Sequence, residues 1–194
     1  MSTTDLMNPT NNAIDQSQID FIKTVIAPKC SDNEITLMLH LAGKYTLDPL
    51  LGEIYLMKYA GAPARTYVSQ AGLLSAASRT GQFDGIETEL HYSEDGNKIL
   101  GSTTRVWRKD ASHPFQATVL MSEYNSGKSV WNDKPATMIT KVSRVHALRL
   151  AFSFSGLYIE EEFDRADTSR YEPLEHGVKE KKKKPVEVVE EVEF

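Results

Sequence analysis

The chain has 194 residues, of which 40% are hydrophobic, so it is long and apolar enough for one domain with a buried core and further segments. Its single cysteine excludes an internal disulfide framework, and no run approaches the roughly 20 apolar residues that a membrane-spanning helix needs. We therefore expect a cytoplasmic protein. The net charge of −5 is uneven, because residues 44–155 hold 13 Lys and Arg against 10 Asp and Glu while both flanking segments are acidic. A basic middle segment of this kind favours a polyanionic partner.

The N-terminal part is predicted to be helical after a polar start. Residues 1–13 lack apolar periodicity, and we expect them to be disordered. Apolar side chains at three- and four-residue spacings predict a short helix over residues 14–27. Ser31 and Glu34 form a capping-box pattern, which predicts a second helix that ends near Tyr45.

A β-hairpin and a short helix are predicted next. Residues 54–59 and 65–68 have alternating patterns on either side of a turn-rich tract, which is typical of a hairpin. Alternation places side chains on two faces: Ile54, Leu56 and Lys58 on one, and Tyr55, Met57 and Tyr59 on the other. A short helix should follow over residues 70–80, and Gly81 suits the left-handed conformation that closes many helices.

The remaining predicted elements are three strands and a long helix. Residues 85–93, 99–108 and 115–124 have strand patterns separated by turn signals, so we expect an antiparallel meander. After a loop over residues 125–134, Pro135 suits the first turn of a helix that ends at Gly156. Its predicted core stripe is Met138, Val142, Val145, Arg149 and Phe152, and the neighbouring row is Thr137, Lys141, Arg144 and Leu148.

The C-terminal segment changes in composition. A short acidic helix is expected over residues 157–166. Residues 167–194 contain few apolar side chains and a run of four lysines, so we expect a charged, disordered tail. The sequence thus predicts an α+β domain over residues 14–166 between two disordered segments.

Several motifs in this domain carry a resemblance to a known family. They lie in order at residues 45–49 with 53–55, 79–85, 106–110 with 113–114, and 131–158 with Trp131, Pro135, Met138 and residues 149–152. With these motifs the chain resembles the phage RecT/Bet single-strand annealing proteins. The resemblance implies an α+β core similar to that of eukaryotic strand-annealing mediators, in which a hairpin and a meander pack on a long helix.

The same resemblance implies a function. Family members bind single-stranded DNA, anneal complementary strands without ATP, assemble into rings or helical filaments, and act beside a phage exonuclease. We therefore expect a non-enzymatic phage recombination protein without a cofactor, in the cytoplasm of the bacterial host. A phage exonuclease and the host single-strand binding protein are the expected partners, and residues 14–166 are expected to bind DNA and to oligomerise.

Two other functional classes are weighed against annealing. The alternative is a passive single-stranded DNA-binding protein that protects strands without annealing them. A metal-dependent nuclease would need clustered carboxylates with a suitably spaced lysine, and the acidic residues of the domain do not show that arrangement. The five histidines show no metal-binding spacing either.

Candidate DNA-binding residues are cations and aromatics of the basic segment: Lys58, Arg65 and Tyr67 of the hairpin, Arg105 of the middle strand, Lys128, Trp131 and Lys134 of the loop, and Lys141, Arg144 and Arg149 of the long helix. Each group also has a structural interpretation. Charges on the hairpin can protect an edge strand. Trp131 can fix the loop to the core instead of stacking on a base, and the row with Lys141 can be a solvated helix face. Arg149 either lines a groove between helix and hairpin or pairs, buried, with Glu53 or Asp84.

Overall fold

The computed structural model describes residues 15–59, 62–125, 127 and 129–160, and it confirms the predicted α+β class. The described chain forms two antiparallel sheets and several helices around one core. Its elements are α1 (Gln16–Phe21), α2 (Asp32–Tyr45), β1 (Ile54–Met57), β2 (Arg65–Val68), α3 (Gln70–Arg79), β3 (Phe83–Tyr92), β4 (Ile99–Arg108), β5 (Phe115–Leu120), α4 (Met121–Tyr124), α5 (Ser129–Asp133) and α6 (Pro135–Phe152). The predicted terminal segments 1–13 and 167–194 lie outside the described residues.

The two N-terminal helices begin at capping boxes. At α2 the predicted box is confirmed, because the Ser31 hydroxyl accepts from the Glu34 N–H and the Glu34 carboxylate accepts from the Ser31 N–H. Helix α1 continues into a π-helical turn, Ile22–Ile26, which the sequence pattern did not indicate. Ile22 of the π-helical turn and Ile35, Met38 and Ala42 of α2 enter the core, whereas no residue of α1 itself is buried.

The hairpin pairs β1 with β2 in antiparallel register, with Tyr55 opposite Tyr67. The chain after α6 adds a short extended segment: Tyr158 forms a parallel bridge with Tyr67, and the Val68 N–H donates to the Tyr158 carbonyl at 2.8 Å. The predicted acidic helix is therefore wrong for residues 157–159. Leu157 and Ile159 both enter the core, and an extended backbone achieves this because its side chains alternate with a period of two.

The meander has the order β3-β4-β5. Its third strand ends at Leu120 and not at the predicted residue 124, because the chain turns there into α4. That helical turn lets Met121 and Tyr124, three residues apart, both pack on the core. The predicted loop 125–134 contains a second short helix, α5.

Helix α6 crosses one face of the meander and buries two stripes. In the predicted stripe, Val142 and Val145 are buried. A second stripe with Ile139, Ser143 and Ala147 lies against the sheet, and Leu148, predicted in the outer row, is also buried. The helix ends at Phe152, earlier than predicted, with Ser153 in the left-handed conformation.

Hydroxyl groups connect α6 to the sheet beneath it. The Ser143 hydroxyl lies 3.0 Å from that of Ser102 and 2.8 Å from that of Thr104, and all three residues are fully buried. Thr104 also shares a hydrogen bond with Thr88 at 3.1 Å, and the Arg144 Nε donates to Thr88 at 3.0 Å. These bonds satisfy polar groups that would otherwise be costly to bury, and they fix the position of α6 on β3 and β4.

Candidate nucleic-acid interface

The hairpin and the segment 157–159 form a small sheet with two different faces. The inner face carries Ile54, Val68, Leu157 and Ile159, which belong to the core. The outer face carries Tyr55, Tyr67 and Tyr158 on three adjacent strands, because Tyr55 pairs with Tyr67 and Tyr67 bridges to Tyr158. We refer to these three residues as the tyrosine row.

Exposure differs along the tyrosine row. The rings of Tyr55 and Tyr67 stack with centroids 5.9 Å apart. Tyr67, in the middle, is only 1% exposed, and burial raises its pKa to about 12. Tyr158, at the end of the row, is 42% exposed. Tyr67, which was predicted to contact DNA, therefore has no accessible ring in this conformation, whereas the ring of Tyr158 is accessible.

Arg149 reaches this row from α6. Its guanidinium carbon lies 5.2 Å from the centre of the Tyr158 ring, which places the side chain beside the hairpin, as the groove hypothesis expects. Glu53, one of the two carboxylates that the alternative hypothesis offered as its partner, is held by another cation, since Arg79 donates to both oxygens of Glu53 at 2.8 and 2.9 Å. Burial opposes ionisation of Glu53, but the bonds from Arg79 and from the Asp48 N–H hold its pKa below the usual range.

The contact between Glu53 and Arg79 also joins two of the family-like motifs. Glu53 precedes β1, and Arg79 is the last residue of α3. Close packing at this junction requires Gly72, because a Cβ there would lie 2.4 Å from the Glu53 carbonyl oxygen. The junction supports the base of the hairpin, and hence the position of the tyrosine row.

The two predicted cations of the hairpin lie on opposite faces. Alternation along β2 places Arg65 on the face of the tyrosine row, where it is half-buried. Lys58 faces the other side, and its Nζ lies 3.1 and 3.3 Å from the two carboxylate oxygens of Glu34 in α2. Its position is explained by an ion pair that ties the hairpin to α2, so the predicted role of Lys58 along a DNA strand has no support in this geometry.

Arg105 lies on the face of the meander that points away from α6. The alternation of β4 fixes this, because Ser102 and Thr104 contact α6 from the other face. Its guanidinium pairs with Glu89 at 3.3 Å and Glu87 at 4.0 Å across the neighbouring strand. The positive charge of Arg105 is thus balanced by two carboxylates, and this residue does not lie beside the tyrosine row.

The residues predicted at the start of the long helix are dispersed. Trp131 is 5% exposed and belongs to the core, which agrees with the interpretation that it fixes the loop. Lys134 is exposed at the N-cap of α6, while Lys141 and Arg144 are half-buried along the helix. Lys128 lies outside the described residues.

The predicted cations therefore fall into separate groups. Lys134 and Arg149 are 15 residues apart on α6, which corresponds to about 22 Å along the helix axis. Among the described candidates, Arg65 and Arg149 accompany the tyrosine row. Sequence reasoning did not single out Tyr158, although its flanking residues Leu157 and Ile159 give the alternation that would have indicated an outward tyrosine.

The described residues provide neither a metal-binding cluster nor a membrane-spanning helix. They contain no group of three or more His, Cys, Asp and Glu side chains that could hold a metal ion. None of the helices in this part of the chain is long and apolar enough to cross a membrane.

Comparison with known proteins places the chain in a family. A model of the RecT family matches residues 12–175. The Recombination protein bet of Escherichia phage lambda is 28% identical over 153 residues, which cover 74% of this chain and 56% of that protein. An uncharacterized protein of Ureaplasma parvum serovar 3 is 30% identical over 139 residues, which cover 70% of this chain and 63% of the relative. The matched region thus spans less than two thirds of either relative, but the family model spans most of this chain, and the protein belongs to the RecT family.

Proposed function

We propose that this protein binds single-stranded DNA and anneals complementary strands without ATP in phage homologous recombination, as a ring or helical oligomer. The observation that carries the proposal is the RecT family match over residues 12–175, joined by the similarity to the Recombination protein bet of phage lambda. Because the chain spans 56% of that lambda protein, annealing by this chain requires its own test.

The geometry of the tyrosine row supports this proposal. Annealing involves no covalent chemistry, but it requires phosphates to be neutralised while the pairing edges of the bases stay accessible. Arg65 and Arg149 bring positive charge to a face that also carries aromatic rings. Single-strand binding proteins combine these two features, because cations track the phosphates and rings stack on bases of any sequence.

The proposed function also defines what must act before it. Annealing needs single strands with complementary sequences, and a nuclease that removes one strand of a duplex produces them. A phage exonuclease would supply such strands, and the host single-strand binding protein would occupy them first. Both are therefore proposed as partners of this protein.

A time course with two complementary fluorescently labelled oligonucleotides tests the proposal. Addition of the protein should accelerate duplex formation over the spontaneous rate, and ATP should not change the rate. A non-complementary pair serves as the control. Electron microscopy of the same mixtures should show rings or filaments once DNA is added.

Two outcomes would contradict annealing. Binding of each strand without faster duplex formation would identify a passive single-stranded DNA-binding protein. Shortened strands after addition of Mg²⁺ would identify a nuclease, because neither binding nor annealing breaks phosphodiester bonds.

A further inference from the structure

We infer that Tyr158 is a base-stacking platform, a residue whose ring receives one nucleobase of a bound single strand, with Arg149 holding that ring. The inference rests on the proposed function for its ligand class, single-stranded DNA. It adds a specific binding residue that is not among the DNA-binding candidates predicted from the sequence.

The backbone around Tyr158 is fixed. Its carbonyl accepts the Val68 N–H at 2.8 Å, and Tyr158 bridges to Tyr67 of β2. Leu157 and Ile159, on either side, are both buried in the core, whereas Tyr158 is 42% exposed. The backbone that carries the ring is therefore held in place by the buried residues on either side. Little conformational entropy remains to be lost when a base stacks on the ring.

Arg149 gives the exposed ring a fixed cationic neighbour. The guanidinium carbon lies 5.2 Å from the ring centre, within the range of a cation–π contact. Arg149 projects from the last turns of α6, so the contact connects the platform to the longest helix of the fold. A base stacked on Tyr158 would have its phosphate near a positive charge.

Other aromatic residues are either less accessible than Tyr158 or lie outside the tyrosine row. Tyr67 is 1% exposed and Trp131 is 5% exposed. Tyr92 is more exposed than Tyr158, at 53%, but it lies at the end of β3 on the meander. Tyr92 therefore provides a matched control: an exposed tyrosine that is outside the tyrosine row.

Stacking on a single ring is compatible with annealing. A stacked base uses its π-face, and the hydrogen-bonding edge that pairs with a second strand remains open. An exposed platform thus orients a base while leaving it able to pair. Hydrogen bonds to the pairing edge would instead block the complementary strand.

The test compares affinities for oligo-dT and for an abasic oligomer with the same number of phosphates, using the full chain. Stacking by alanine scanning is worth roughly 1–3 kcal/mol per base, so wild type should bind oligo-dT at least about fivefold more tightly than the abasic oligomer. Tyr158→Leu should remove most of this preference and leave the abasic affinity unchanged. Tyr158→Phe and Tyr92→Leu should both keep the preference.

If Tyr158→Leu still prefers oligo-dT to the abasic oligomer, or loses affinity for both oligomers equally, Tyr158 does not stack on a base. Circular dichroism checks that the leucine variant is folded. A measurement on the wild type does not depend on that variant: ultraviolet cross-linking to oligo-dT followed by mass spectrometry should place an adduct at Tyr158. Adducts found only at other residues would also overturn the inference.

The annealing assay on the same proteins separates this inference from the proposed function. If the wild type prefers oligo-dT to the abasic oligomer through Tyr158 but does not accelerate annealing, the proposed function is refuted and the stacking role of Tyr158 stands. If the wild type accelerates annealing but does not prefer oligo-dT to the abasic oligomer, the stacking role of Tyr158 is refuted and the proposed function stands.

Discussion

Glu34 shows how one side chain can hold two distant parts of the chain together. Its carboxylate accepts the Ser31 N–H at the start of α2, and it also accepts the Ala64 N–H at 2.6 Å and pairs with Lys58 at 3.1 Å. The capping box could be predicted from the spacing of Ser31 and Glu34. The second role could not, because residues 58 and 64 are brought to α2 only by the tertiary fold.

The ionisation of Glu34 should make stability depend on pH. Burial alone would raise its pKa, but the N–H groups of Ser31 and Ala64 and the Lys58 ammonium lower it from 4.5 to about 2. Since the folded-state pKa is below the unfolded one, the stabilisation is present above about pH 4.5 and is lost as the pH falls toward 2. We expect Glu34→Gln to lower the free energy of unfolding at neutral pH by about 2 kcal/mol.

Urea denaturation of wild type and Glu34→Gln across this pH range measures the effect. The difference between the two proteins should shrink as the pH falls from about 4.5 toward 2. Glu94→Gln, at an exposed carboxylate in the turn after β3, is the control and should stay close to wild type. A constant difference between Glu34→Gln and wild type at every pH would show that ionisation of Glu34 is not the cause.

At the residue scale, the exposure of the aromatic side chains could not be predicted from the sequence. The sequence left Trp131 with two interpretations, and its burial in the core agrees with the structural one. Tyr67 was a candidate for DNA binding, but it is buried, and its ring stacks on that of Tyr55 across the hairpin. Period and composition do not determine which of several tyrosines stays exposed, because exposure depends on what packs against each ring.

At the scale of elements, the start of α6 at Pro135 was predicted correctly, its end at Phe152 lies earlier than predicted, and its packing was predicted only in part. A period of 3.6 finds stripes of large apolar residues, and it found Val142 and Val145. The stripe that faces the sheet contains Ser143 and Ala147, which are small and only weakly hydrophobic. Small residues on α6 allow the helix to approach the strands closely, but they give little signal in a hydrophobic pattern.

Ser143→Ala should reveal the contribution of the hydroxyl contacts between α6 and β4. The substitution removes a partner from Ser102 and Thr104, both fully buried. We expect the free energy of unfolding to fall by about 1–2 kcal/mol, since a buried polar group that loses its partner is costly. Urea denaturation followed by circular dichroism measures the change.

Thr137→Ala provides a matched control on the same helix, because Thr137 is exposed. It should alter stability by no more than about 0.5 kcal/mol. Equal effects of the two substitutions would mean that the buried hydroxyl contacts do not hold α6 on the sheet.

At the scale of the whole molecule, the net charge of a segment differs from the charge available to DNA. The sequence shows that the middle of the chain is basic, but it does not show which cations are already paired. In the structure, cation–carboxylate pairs include Lys58 with Glu34, Arg79 with Glu53, Arg105 with Glu87 and Glu89, and Arg108 with Asp110. Such pairs, most of them between distant parts of the sequence, are not visible in the composition, which therefore does not identify individual binding residues.

Salt dependence can test which of the two arginines, Arg149 or Arg105, contacts phosphate. Each phosphate neutralised on a single strand contributes about −0.7 to the slope of log affinity against log salt concentration. Arg149→Gln should therefore make the slope shallower by about 0.7, because Arg149 lies beside the tyrosine row. Arg105→Gln should leave the slope unchanged, because that charge is offset by Glu87 and Glu89 on the face away from α6.

Titrations of a labelled oligo-dT at several salt concentrations give both slopes, and circular dichroism confirms that each variant is folded. The abasic oligomer should show the same change for Arg149→Gln, since the lost contact is to phosphate and not to a base. If Arg105→Gln shifted the slope as much as Arg149→Gln, the DNA path would have to include the outer face of the meander. A slope unchanged in Arg149→Gln would remove this arginine from the phosphate contacts.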